Sequence, residues 1–292
     1  MVESYVAPEL DGLDPATQVL RGLVVGDFLR MNQRPPTPEG CLFEHDVQYG
    51  SAGGTPLTLD LYSHREGAGR PGVVFIHGGC WIGGHPYNHI RRAAALAADG
   101  WVTATISYRL APEHPWPAAL EDAKCAVRWM RANATGLGID PGRIAVVGDS
   151  AGGHLAAMVG LTPGWQEGDG GHGEVASNVK AMVLYYPITD LEDIPALATQ
   201  RAQFVPGEAP ADLREASPIH HVSAAAPPSL IITGDRDSLV PVGNSRKLQA
   251  ALEAAGATSR LEVFAGHDHG FEIASRHWAA THGLMTEFLA RV

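Results

Sequence analysis

From residue 43 onward, apolar residues fall in short runs, and most runs stop at a residue that bends or caps the chain. Phe43 to Tyr49 and Leu57 to Tyr62 are β-rich or alternating, with Ser51-Ala52-Gly53-Gly54 between them as a turn. Val73-Val74-Phe75-Ile76 stops at His77-Gly78-Gly79, and Trp101 to Ile106 stops at Ser107-Tyr108. Ile144-Ala145-Val146-Val147 stops at Gly148-Asp149-Ser150, and Ala181 to Tyr186 stops at Pro187. Leu230-Ile231-Ile232-Thr233 stops at Gly234-Asp235, and Leu261 to Phe264 precedes Gly266-His267. Between the runs lie helical segments at 87–99, 117–133, 151–160, 242–256 and 275–290. Strand-length apolar runs alternating with helices predict a mainly parallel sheet covered on both faces. The short turn between the first two runs predicts an antiparallel start.

Upstream the pattern differs. Leu13, Val19, Leu20, Leu23, Val24, Phe28 and Leu29 follow a roughly helical spacing, which ends at Pro35-Pro36-Thr37-Pro38. Residues 1–40 are therefore expected to form a separate helical arm, and 41–292 the main domain. Residues 163–175 are Gly-rich and polar, which predicts a surface loop. Residues 188–222 carry several prolines and no strand pattern, so they read as an insertion. Arm and insertion together are expected to make a small helical cap over the strand ends.

Composition narrows the class. Of 292 residues, 45% are hydrophobic and 18% charged, which suits a globular chain with a sizeable core and excludes a disordered or fibrous one. A net charge of -11 argues against nucleic acid or an anionic membrane surface as partner. Cys41, Cys80 and Cys125 are too few for a disulfide framework. The first residues lack the basic-then-apolar pattern of a leader, and no run approaches the ~18 apolar residues of a membrane helix. The expected setting is cytoplasmic, with no membrane partner. Assembly into a homo-oligomer is left open.

In open α/β sheets the chemistry lies beyond the carboxyl ends of the strands. Gly148-Asp149-Ser150-Ala151-Gly152 fits G-x-S-x-G between a strand and a helix, where a serine hydroxyl can stand exposed as a nucleophile. The competing reading is a tight turn with an ordinary serine. A nucleophilic serine needs a base, and the base needs an orienting carboxylate. Asp235 and Asp237 follow one strand and His267 and His269 follow the next, so the residues alone leave two candidates for each role. His267-Asp268-His269 could also suggest a metal site, but no third ligand cluster accompanies it. The Gly clusters at 78–84 and 168–173 lack phosphate-loop spacing, so no nucleotide cofactor is implied.

Several pieces resemble a known family. His77-Gly78-Gly79-Cys80-Trp81, the stretch SYRLAPEHPWPAALEDA at 107–123, and GDSAGGHLAA at 148–157 look like the α/β-hydrolase superfamily, in its hormone-sensitive-lipase-like and feruloyl-esterase-like branches. GDRDSLVP at 234–241 and HGF at 269–271 complete the set, and the likeness covers about residues 40–290. The resemblance implies an α/β-hydrolase fold with a mainly parallel eight-stranded sheet. It implies Asp237, in G-x-x-D-x-L, as the acid and His269, before Gly-Phe, as the base for Ser150. It implies an oxyanion hole from the N–H groups of Gly79, Cys80 and Ala151. The family has glycine in the fourth place of that loop, where this chain has Cys80; the donors are backbone groups, so the change need not abolish them. Glu113, Glu121 and Asp122 then belong to a structural loop and helix start.

The implied activity is serine-dependent hydrolysis of a small-molecule carboxylic ester, short-acyl or aryl, through an acyl-enzyme, with no metal or cofactor. Two other readings accompany it. The HGGxW pattern also resembles arylformamidases, which keeps a formamide substrate open. A non-catalytic ligand receptor on this scaffold, similar to plant gibberellin receptors, is the other. Those receptors have lost the triad histidine, whereas Ser150, Asp237 and His269 all stand in the expected places.

Overall fold

Every apolar run becomes a strand. The structure is a computed structural model that describes residues 34–273 and 275–292. The strands are β1 (Cys41–Ala52), β2 (Thr55–His64), β3 (Arg70–Ile76), β4 (Val102–Ile106), β5 (Ile139–Asp149), β6 (Met182–Tyr185), β7 (Ser229–Gly234) and β8 (Ser259–Phe264). They form one eight-stranded sheet in the order β1-β2-β4-β3-β5-β6-β7-β8. The β1–β2 and β2–β4 pairs are antiparallel, and all the pairs beyond β4 are parallel.

The helices are α1 (Ile90–Ala98), α2 (Ala118–Ala132), α3 (Ala134–Leu137), α4 (Ala151–Leu161), α5 (Ala198–Phe204), α6 (Pro210–Glu215), α7 (Gly243–Ala254) and α8 (Ser275–Leu289). Side chains alternate across a strand, so a sheet covered on both faces buries successive residues along the inner length of its central strands. Val73 and Phe75 of β3 and Ala145 and Val147 of β5 pack with Ile90 and Ala94 of α1 and Met285 and Phe288 of α8. Their neighbours Val74, Ile76, Ile144 and Val146 pack on the other face with Leu120 of α2, Leu155 of α4 and Leu248 of α7. Each such side chain contributes roughly 1.5–3 kcal/mol by leaving water. All of α4 is buried, in keeping with its run of small and apolar residues.

Two segments differ from expectation in detail. β5 begins at Ile139, ahead of the apolar run; Arg70 pairs with Ile139, but the register then shifts before Gly72 pairs with Ile144. The Gly-rich loop at 163–175 lies at the surface but is tied down from α2. Buried Lys124 donates to the carbonyls of Thr162 and Trp165, and Arg128 donates to Glu167 and Gly171.

The insertion at 188–222 folds into α5, α6 and 3₁₀ turns at Leu191–Asp193, Pro195–Leu197 and Pro218–His221. The arm expected at 1–40 lies outside the described residues up to position 33. No helix among the described residues is long and apolar enough to cross a membrane.

Candidate active site

The strand ends gather the chemistry. Ser150 sits between β5 and α4 with φ +54° and ψ -119°, a left-handed conformation that a serine rarely adopts. The turn holds because α4 starts hard against the end of β3: a Cβ at Gly152 would collide with the carbonyls of Ile76 and His77. Ser150 N–H donates to the Tyr185 carbonyl at 2.9 Å, which fixes the turn to β6.

His269 brings its Nε2 to 2.9 Å from Ser150 Oγ and its Nδ1 to 2.7 Å from Asp237 Oδ2. Asp237 Oδ1 in turn accepts the N–H groups of Leu239 and Val240, at 3.0 and 2.7 Å. The carboxylate is thus held by backbone while its free oxygen meets the imidazole. Asp268 ties the two loops together: its Oδ1 accepts from His269 N–H and from Ser238 N–H, both at 2.7 Å. Burial lowers the His269 pKa, but the facing Asp237 carboxylate, with Glu272 and Asp149 behind it, outweighs that and the net shift is upward from 6.5.

The rivals go elsewhere. Asp235 Oδ1 accepts Gly266 N–H, and His267 hydrogen-bonds through Nδ1 to the Ala265 carbonyl at 2.7 Å and through Nε2 to His277 Nε2 at 2.9 Å. Burial pushes the pKa of His77 and of His154 down to about 4, so neither imidazole carries a charge at neutral pH.

The loop after β3 carries Gly79 at φ +124°, Cys80 at +53° and Trp81 at +61°. A Cβ at Gly79 would collide with the Gly83 carbonyl, so glycine is required there. The Cys80 side chain is wholly buried, and burial, with Asp149 nearby, pushes its thiol up to about 12. A thiol that stays protonated is no nucleophile. Ala151 opens α4, where an N–H has no partner within the helix.

Sequence reasoning missed the groups that brace this loop. Asp149, the unspecified position of G-x-S-x-G, accepts from Gly78 N–H at 2.9 Å and from His89 Nε2 at 2.8 Å. Burial opposes its charge, yet those two contacts hold its pKa below the usual carboxylate value. Trp81 Nε1 donates to His154 Nδ1 at 3.1 Å, and His154 Nε2 reaches the Ala216 carbonyl at 2.6 Å. The Trp81 ring stacks on Phe204 of α5, with centroids 4.3 Å apart and planes at 2°. The tryptophan of HGGxW was a signal for this contact, but nothing in the sequence named its partners. Tyr186 packs on the His269 ring at 4.3 Å and donates its hydroxyl to buried Glu272 at 2.7 Å. Arg109 binds both Glu121 and Asp122, so those carboxylates serve the α2 start, as expected.

Comparison with known proteins gives the family. Residues 59–252 match the BD-FAE family. Esterase LipC of Mycobacterium tuberculosis is 35% identical over 87% of this chain and 68% of its own length. The chain spans 42% to 58% of the length of three further curated relatives. Among solved structures, a truncated carbohydrate esterase from gut microbiota superposes with a TM-score of 0.77 at 27% identity, covering 88% of this chain and all of that one. Esterase 2 of Thermogutta terrifontis, solved with propionate or butyrate bound and phosphorylated by paraoxon, gives a TM-score of 0.74 at 29% identity, covering 88–89% of this chain and 96% of its own. The chain belongs to the BD-FAE family and is a serine carboxylic ester hydrolase with the α/β-hydrolase fold.

Proposed function

We propose that Ser150, His269 and Asp237 are the catalytic triad of an esterase that cleaves short-acyl or aryl esters through an acyl-enzyme. The observation that carries the assignment is the unbroken relay from Ser150 Oγ through His269 to Asp237, at 2.9 and 2.7 Å. In this reading His269 Nε2 takes the hydroxyl proton as Ser150 Oγ attacks the acyl carbon. Asp237 keeps the Nδ1–H tautomer and stabilises the imidazolium that forms. The N–H groups of Gly79, Cys80 and Ala151 receive the oxyanion. His269 returns the proton to the departing alcohol, and water then repeats the sequence to release the acid. All six groups come from one chain, so the chemistry needs no second copy.

The insertion at 188–222 acts as a cap in this reading, since Phe204 and Ala216 both engage the oxyanion loop through Trp81 and His154. Acids as short as propionate and butyrate occupy the Thermogutta esterase, which supports a small acyl pocket here. The three free, buried cysteines are in keeping with a cytoplasmic setting.

Labelling tests the nucleophile. Paraoxon treatment followed by peptide mass spectrometry should find one phosphoryl adduct, on Ser150, and none on the Ser150→Ala variant. An adduct on another residue that tracks the loss of activity would overturn the assignment. Cleavage of N-formylkynurenine faster than of p-nitrophenyl acetate would replace the ester reading with an amidase one.

A further inference from the structure

A second group of ligating side chains lies on the antiparallel side of the sheet. The β1–β2 pairing runs Glu44 to Leu61 and then Val47 to Leu59, so His45 and Asp46 together stand opposite Asp60. A bulge of this kind re-aims side chains, and Asp46 takes φ +54° within it. His45 Nδ1 lies 2.5 Å from Asp60 Oδ1, and His45 Nε2 lies 3.2 Å from Asp46 Oδ2. A ligand atom from each of the three residues falls within 4.8 Å of the others.

Asp60 supplies the independent sign of a missing ligand. It is only 3% exposed, and among the described residues its buried Oδ2 finds no hydrogen-bond partner. A buried polar atom left unsatisfied costs roughly 1–3 kcal/mol, and more when charged. Asp60 lines a cleft of about 140 Å³ together with His45, Asp46 and His85. Liquid water takes about 30 Å³ per molecule, so the cleft has room for an ion with part of its water shell. His85 Nδ1 accepts Tyr87 N–H at 3.2 Å, which leaves Nε2 as the nitrogen for a metal.

We propose that His45, Asp46 and Asp60, with His85, form a binding site for a divalent transition-metal cation of the zinc class. Imidazole mixed with carboxylate suits Zn²⁺ or Co²⁺ better than Mg²⁺ or Ca²⁺, which favour all-oxygen sets. The site is separate from Ser150 and independent of the esterase reading. Its cleft shares a wall with His77, Gly84 and Tyr108, and Tyr108 donates to the His77 carbonyl at 2.9 Å.

The test uses the full chain stripped with EDTA and dialysed. Titration with ZnCl₂ by calorimetry should give one equivalent bound with a dissociation constant of about 10 μM or tighter, and CoCl₂ should give visible absorption bands. Asp60→Asn and His45→Ala should each weaken binding at least ~10-fold. His267→Ala, at the other histidine pair, should bind as the native chain does. Because His45 is half exposed, His45→Ala keeps the test alive if Asp60→Asn fails to fold. Absence of stoichiometric Zn²⁺ uptake, or uptake unchanged in folded His45→Ala, would overturn the proposal.

Discussion

Ser150 departs from ordinary backbone geometry because its hydroxyl must clear both the strand behind it and the helix ahead. Replacing it with alanine keeps that geometry and removes only the oxygen. Ser150→Ala should therefore stay folded by circular dichroism and lose ~10⁴-fold or more in kcat. His269→Ala should match it, while His267→Ala keeps turnover within a few fold; the opposite ranking would move the base to His267. The pH dependence has a definite sign. In the proposed triad His269 can act as base only when unprotonated, and Asp237, with Glu272 and Asp149, holds its pKa above 6.5 against burial. kcat/KM should thus climb with pH through an apparent value above 6.5, and an acid limb lying lower would show that Asp237 does not bear on the base. At position 80 the backbone, not the sulfur, is assigned the work. Cys80→Ala should keep activity within ~10-fold, against ~10²–10³-fold for loss of an oxyanion donor.

At the scale of elements, the strand ends were readable and the braces were not. Each central strand is buried on both faces, so its sequence is a continuous apolar run, and the first glycine or polar residue marks where it stops. That is why Ser150, Asp237 and His269 could be pointed to before any contact was known. Choosing Asp237 over Asp235 and His269 over His267 took the family likeness, since spacing alone treats both members of each pair alike. The contact of Asp149 with His89 spans 60 residues, and that of His154 with Ala216 spans 62. Pairings so distant leave no periodic trace. The insertion was legible only as a lack of pattern, because α5 and α6 are too short for helical spacing to show. The Trp81–Phe204 stack joins it to the oxyanion loop. Phe204 is fully buried, so Phe204→Ala should cost about 3–5 kcal/mol in urea unfolding. A cost under about 1 kcal/mol would mean that the insertion is not anchored there.

The whole molecule sets the substrate. If 188–222 caps the site as proposed, its described part is short, and Phe204 and Ala216 are already engaged below it by Trp81 and His154. Among the described residues, Val263 is the large hydrophobic side chain left exposed, so little apolar surface remains there to cover a long chain. Each further CH₂ would contribute ~0.8 kcal/mol only while it finds a wall to bury against. On p-nitrophenyl esters, kcat/KM should therefore peak at roughly two to six acyl carbons and then level or fall. A value still rising at twelve carbons would require a long groove.

The outer margins of the sheet bear on the protein at high concentration. An edge strand with a straight ladder is a template for a neighbour's strand, and aggregation begins there. β1 is twelve residues long, but its pairing slips twice, between Glu44 and Val47 and between Gln48 and Gly50. β8, at the opposite margin, is six residues and carries Arg260 and Glu262. Neither edge offers a newcomer a regular, uncharged row of amides. The bulge that gathers His45 and Asp46 thus also keeps the sheet from growing, and straightening it would put solubility at risk before it touched catalysis.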